Sequence, residues 1–182
     1  VKPSENLYPV VAEGFERVLL EVGAQQWALP TPCEEWDVSQ LVRHVVATHW
    51  RVYALLDETT STTLSDDADL IQEWRGATAA VLGALASPEQ ANTLVRARNG
   101  ERPFAALVGG LLTIDTLCHT WDLARAVGAD ETLDAAAVAN AYDALSAVGD
   151  LIRVPGGYGP ANEPAPDADP QTRFLNFAGR RP

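Results

Sequence analysis

The chain has 182 residues, 47% of them apolar, and a formal net charge of -12. That length and apolar content suffice for one domain, residues 1–182, with a core that needs no disulfide staples. The acidic residues are spread along the chain and no basic face exists, which argues against nucleic acid or an anionic membrane as the main partner.

Two cysteines, Cys33 and Cys118, occur without CxxC spacing, so neither a disulfide framework nor a cysteine-based zinc knot can be built. No basic region followed by an apolar stretch opens the sequence, and no run approaches the roughly 18 apolar residues that span a bilayer. The expected location is a reducing cytoplasm.

From Ser4, a plausible N-cap, to about Val22 the residues Leu7, Val10, Val11, Phe15, Val18 and Leu19 recur at helical spacing. Residues 28–36 carry two prolines and read as an extended connection whose Trp36 plugs the core. Asp37, with Gln40 at the capping-box position, opens a second helix through Leu41, Val42, Val45, Val46, His49, Val52 and Leu56. A polar loop follows, then a third helix over about 66–86 with the stripe Leu70, Trp74, Ala77, Val81 and Leu85. Ser87-Pro88 caps a short turn, and Asn99-Gly100 signals a tight turn, so this stretch reads as irregular or as a short hairpin.

Pro103 opens a long fourth helix to Val127, closed by Gly128. Gly109-Gly110 falls inside it and reads as a point of close packing. Asp134 caps a fifth helix to about Ile152. The stretch 155–170, rich in Pro, Gly and Asp, should wrap the surface before a last short helix containing Phe174 and Phe177. The expected fold is therefore all-α, with a hairpin or irregular insertion and a wrapping C-terminal tail.

All three histidines lie in two of these helices: His44 and His49 in the second, His119 in the fourth. Asp115 and His119, four residues apart, sit about 40° apart on one helix face. Two ligands from one helix and a third from a neighbour is how helical bundles build metal sites, and His44 is the natural third ligand. His49 is about 140° around the helix from His44 and falls outside such a set. The same D-x-x-x-H spacing is also common by chance, and single histidines often serve only as core or surface residues.

Asp122 could support His119 from behind, but its spacing to Arg125 favours a surface ion pair. Cys33 and Cys118 read as small core residues. No Gly-rich phosphate loop, H-E-x-x-H or G-x-S-x-G is present.

Three stretches, PTPCEEWDVSQLVRHVV from Pro30, CHTWDLARAVG from Cys118 and PDADPQTRFLNFAGRRP from Pro166, resemble one family. It is the metal-binding domain of mycothiol-dependent maleylpyruvate isomerase and its single-domain relatives, within the DinB-like superfamily of four-helix bundles. The resemblance implies that His44, Asp115 and His119 are metal ligands. It also implies an actinobacterial protein and a possible homodimer.

The isomerase commonly carries glutamate where this chain has Asp115, so the carboxylate arm here is one methylene shorter. The isomerase also has a second, C-terminal domain, whereas this chain ends at Pro182 on the helical domain; maleylpyruvate isomerisation itself is not assumed. The resulting expectation is a divalent metal, zinc first with nickel, iron or manganese also compatible, that activates mycothiol or a similar thiol toward a small electrophile. The alternatives are a non-catalytic metal- or ligand-binding module and a plain bundle with packed histidines.

Overall fold

A computed structural model describes residues 7–57, 59–97, 100–153 and 157–182. Its elements are α1 (Tyr8–Glu21), α2 (Val38–Tyr53), α3 (Leu70–Ala86), the short α4 (Pro88–Asn92), strands β1 (Leu94–Ala97) and β2 (Gly100–Pro103), α5 (Phe104–Leu107), α6 (Thr113–Val127), α7 (Ala135–Val148) and α8 (Pro170–Phe177). A π-helical turn, Val108–Leu112, joins α5 to α6, so that Phe104–Val127 is one continuous 24-residue helix.

The fold is all-α, as the periodicity indicated, and a DinB-like bundle, as the resemblance implied. Helix α1 packs on α6 and α3, and α2 packs on α3 and α6, which closes a ring of four. Burying the apolar stripe of each helix against two neighbours is what stabilises such a bundle. Tyr8, Phe15, Leu41, Val45, Trp74, Phe104 and Leu112 fill the centre with no exposed surface. A second cluster, built on Leu117, Trp121, Val138 and Phe174, joins α6 to α7 and α8 on the outside of the ring.

Local chemistry sets most of the helix ends. Asp37 caps α2 through the expected capping box with Gln40. Asp69, Asp134 and Asp169 cap α3, α7 and α8 by accepting from backbone N–H groups of the first turn. Gly128, at φ 74°, ends α6 in the left-handed conformation that favours glycine. The N-cap of α1 is Leu7, with proline in the first turn, while Ser4 lies outside the described residues. Helix α3 starts at Leu70, later than expected: the acids 66–67 stay in the preceding turn, where Arg43 donates to the carbonyls of Ser65 and Asp66.

The insertion is a two-stranded antiparallel hairpin, with Leu94 paired to Pro103 and Ala97 to Gly100. Asn99 of the expected turn lies outside the described residues.

Gly109 and Gly110 do not mark close packing. Neither position has a neighbouring atom within 4 Å of an added Cβ, and both lie in the π-helical turn. There the Thr113 N–H bonds to Val108 O, and the Thr113 hydroxyl donates to the same oxygen at 3.1 Å. Two residues without Cβ ease the wider turn, and such turns within α-helices frequently lie beside functional sites. This one ends just before the helical turn that carries Asp115.

The helix Phe104–Val127 is apolar and long enough to cross a bilayer by composition alone, contrary to the expectation that no stretch would be. Its most apolar part is, however, 67% buried inside the bundle, as befits a central core helix.

Candidate metal centre

Helix α6 is buried almost all round from Thr113 to Ala124, so the polar side chains it carries there must find partners inside the protein. Asp115 Oδ1 stands 3.6 Å from His44 Nε2 on α2 and 3.6 Å from His119 Nε2 one turn along α6. The two imidazole rings lie edge to face, with centroids 5.1 Å apart. One donor atom from each of the three residues falls within 4.8 Å of the other two. Tetrahedral ligands about 2.1 Å from an ion stand about 3.4 Å apart, so this spacing fits one divalent ion with small adjustments.

Asp115 Oδ2 is buried and has no hydrogen-bond partner among the described residues. An orphaned carboxylate oxygen is costly unless a further positive or donating group meets it. Two imidazoles and one such carboxylate make a donor set suited to a divalent transition metal, so the residues fit the ion that the sequence implied.

The connection before α2 forms the roof. Its Thr31 hydroxyl donates to Trp36 O at 2.8 Å and accepts from Cys33 N at 3.1 Å, while Trp36 N donates to Cys33 O at 2.7 Å. This knot turns Trp36 and Cys33 toward the histidines. The Trp36 ring lies 4.5 Å from that of His44 and 5.8 Å from that of His119. Trp36 is therefore a half-buried wall of the site as well as a partner of the core.

Behind His119 lies a feature that the spacing misassigned. Asp122 is fully buried and is not half of a surface pair with Arg125; it accepts from His119 Nδ1 at 2.9 Å and from Arg180 Nη2 at 2.7 Å. Arg125 instead pairs with Glu131 at 2.7 Å and covers the Trp121 ring. Cys33 is likewise no core residue: its thiol donates to Asp122 Oδ2 at 3.4 Å and its sulfur lies 4.0 Å from His119 Nδ1. Cys118 is a buried core thiol, pushed up to about 12 by burial.

Cys33, His119 and Asp122 also gather one donor atom each within 4.8 Å. Here, though, the Arg180 guanidinium already sits on both Asp122 and Cys33. A cation would have to displace a fixed positive charge, which favours the His44 set.

The charges are coupled. Burial opposes a proton on His119, but the Asp115 charge and the bond to Asp122 outweigh it and raise its pKa to about 10. Burial pushes Asp122 up, yet the His119 bond and the Arg180 charge hold it near about 2. Asp115 is held low by His119 and His44 against the same burial. His49 is outside this group: it is fully buried, with its pKa lowered to about 4 by desolvation.

Residues 10–124 match the family described as the mycothiol maleylpyruvate isomerase N-terminal domain. The chain belongs to this family. Two uncharacterized proteins of Mycobacterium tuberculosis, from strains CDC 1551 and H37Rv, are each 31% identical over 170 residues, covering 92% of this chain and 92% of their own length. No solved structure matches. The family segment includes Cys33, Trp36, His44, Asp115, His119 and Asp122, and it stops short of Arg180. An H-x-x-D step, reading as a carboxylate behind a liganding histidine, is the sequence signal for Asp122. For Arg180 the only signal is its place in the closing stretch of the family resemblance.

Proposed function

We propose that this isomerase-like domain binds one divalent ion through His44, Asp115 and His119, and that it is a thiol-dependent transferase or isomerase for a small electrophile. The observation that carries the reading is the convergence of His44 Nε2 and His119 Nε2 on Asp115 Oδ1, each at 3.6 Å, beside an Asp115 Oδ2 without a hydrogen-bond partner among the described residues.

A divalent ion held there supplies a Lewis acid that lowers the pKa of a thiol or water in an open position toward neutrality. Mycothiol is the thiol that the family description points to. The chain's own residues do the rest. Asp115 contributes the one negative charge of the set, so a doubly charged ion keeps a net positive charge that favours a thiolate. The Nδ1–H of His119 is bonded to Asp122, which leaves Nε2 facing Asp115. Trp36 covers the imidazole rings and keeps water from that side.

The His44 and Asp115 side chains retain 27% and 21% exposure, so one face of the set is open to a small molecule. A purely structural metal would be closed by a fourth protein ligand. Zinc is the first choice for these donors, with nickel, iron and manganese compatible. A cytoplasmic setting, where low-molecular-weight thiols stay reduced, accords with the reading.

The test is the metal content of the purified protein and of His119→Ala by mass spectrometry, followed by mycothiol consumption with a small epoxide. About one ion per chain, lost in the variant, together with metal-dependent conjugate formation, is the expected result. No ion after reconstitution overturns the metal reading. An ion without thiol chemistry leaves a non-catalytic binding module.

A further inference from the structure

The C-terminal segment delivers a side chain to the back of the candidate centre. Asn162 and Asn176 both donate to Arg180 O, at 2.9 and 3.1 Å, and Arg180 N donates to Leu175 O at 2.8 Å. Asn162 N in turn donates to Asn176 O at 2.9 Å. Arg153 bonds the tail from the other side through Gly159 O and Phe177 O.

Four of the five N–H donors of the Arg180 guanidinium are used in this environment. Its Nε donates to Asp122 Oδ1 at 3.1 Å, its Nη2 to Asp122 Oδ2 at 2.7 Å and to Cys33 Sγ at 3.5 Å, and its Nη1 to Ala178 O at 2.8 Å. The fork matches the two carboxylate oxygens, the geometry in which arginine binds most firmly. Both Asp122 oxygens are thereby fixed, and Oδ2 also accepts from His119 Nδ1 at 2.9 Å.

The consequence falls on the far side of the imidazole. While both Asp122 oxygens are held as acceptors, the Nδ1–H of His119 stays bonded to Asp122, and Nε2 is the nitrogen that faces Asp115 and gives up its proton to an ion. If Arg180 were removed, the fully buried Asp122 would lose the fork that holds both its oxygens in place. Its carboxylate would then be free to turn away from His119 Nδ1. Without that acceptor nothing behind the imidazole would fix which of its nitrogens faces the ion.

We propose that Arg180 and Asp122 are positioning residues of the centre: the C-terminal tail, through Arg180, locks Asp122 as an acceptor and so sets which His119 nitrogen faces the ion. This rests on the metal reading above. It extends the working site to a segment beyond the family match at residues 10–124.

The test uses zinc ion as the probe in the full chain. Zinc affinity is measured by competition with a chromophoric chelator for wild type, Arg180→Ala, Arg180→Lys and Asp122→Asn. Nitrogen NMR of the zinc-loaded proteins reports which His119 nitrogen carries the proton. Arg180→Ala is expected to weaken zinc binding about 10- to 100-fold, the usual loss for a residue that orients a ligand from behind. Arg180→Lys should recover part of it, since it keeps the charge and loses the fork. Asparagine at 122 can turn its amide toward Nδ1, so Asp122→Asn should weaken zinc and shift or abolish the Nδ1–H signal. A merely structural role for the pair would lower the melting temperature without altering that signal.

Unchanged zinc affinity in Arg180→Ala and Asp122→Asn, with the Nδ1–H signal intact, overturns the proposal while leaving the metal reading standing. Should Arg180→Ala fail to fold, Arg180→Lys and Asp122→Asn decide by the same two readouts. A wild-type chain that takes no zinc overturns the metal reading and this inference with it.

Discussion

His49 turns its back on His44. The two share α2, yet His49 Nδ1 bonds to Val45 O at 2.8 Å and its ring lies edge-on to Trp74, 4.9 Å away in the core. The five-residue step that keeps it out of the site buries it completely, so it is held neutral, with its pKa lowered to about 4 from 6.5.

That depression predicts an acid-side loss of stability. Between about pH 6.5 and 4 the unfolded chain protonates this histidine and the folded chain does not, so stability is full above the unfolded value and falls as pH drops toward 4. The shift corresponds to about 3 kcal/mol at most. Urea unfolding of chelated protein at several pH values should show this slope, and His49→Leu should flatten it. An equal slope in the variant would assign the acid loss to other groups.

Metal uptake should displace a proton. In the metal-free site His119 titrates near about 10, so at pH 7 it is charged, and an ion at Nε2 must expel one proton. Calorimetry of zinc binding at pH 7 in buffers of different ionisation enthalpy should give about one proton released per ion. The same raised value means that His119 stabilises the metal-free protein fully below pH 6.5, and that this contribution is lost as pH rises through about 10. Zinc binding without proton release would place the ion elsewhere.

Trp36 should report the event optically. Of the described ring contacts of tryptophan, only those of Trp36 reach His44 and His119. A charged imidazole quenches a neighbouring indole, so replacing the proton on His119 by an ion should raise the emission. Trp36→Phe should abolish the change while retaining zinc affinity close to that of wild type. A full fluorescence response in Trp36→Phe would mean that the signal comes from a global rearrangement.

What could be read from the sequence was what local rules control. The helical stripes, the Asp37–Gln40 box and the Gly128 stop are encoded within a turn or two of chain, and the structure keeps them. The D-x-x-x-H step put Asp115 and His119 on one face for the same reason, and the fold brings His44 to them. Asp122 was assigned to the wrong partner because Arg125 is one helical turn away, whereas the arginine that binds it is 58 residues away in sequence. No spacing rule spans that distance. Gly109-Gly110 misled in another way: small residues in a helix can mean close packing or an altered backbone, and the composition alone does not separate the two.

The tail's approach turns on Gly179, which leads to a last prediction. Its φ is +84°, and an added Cβ would lie 3.2 Å from Cα, C and O of Gly159, all backbone atoms that cannot swing aside. Gly179→Ala should therefore cost about 1–3 kcal/mol in strain and displaced chain. Because Arg180 is the next residue, the strain should also loosen its grip on Asp122, and zinc affinity should fall in the same direction as in Arg180→Ala, though by less. Gly100→Ala is the matched control: its φ of +104° imposes backbone strain, but the hairpin it belongs to contributes nothing to the ligand set. Chemical denaturation and zinc competition on the two variants separate stability from affinity. If both variants lose stability and neither loses affinity, the tail braces the fold without governing the centre.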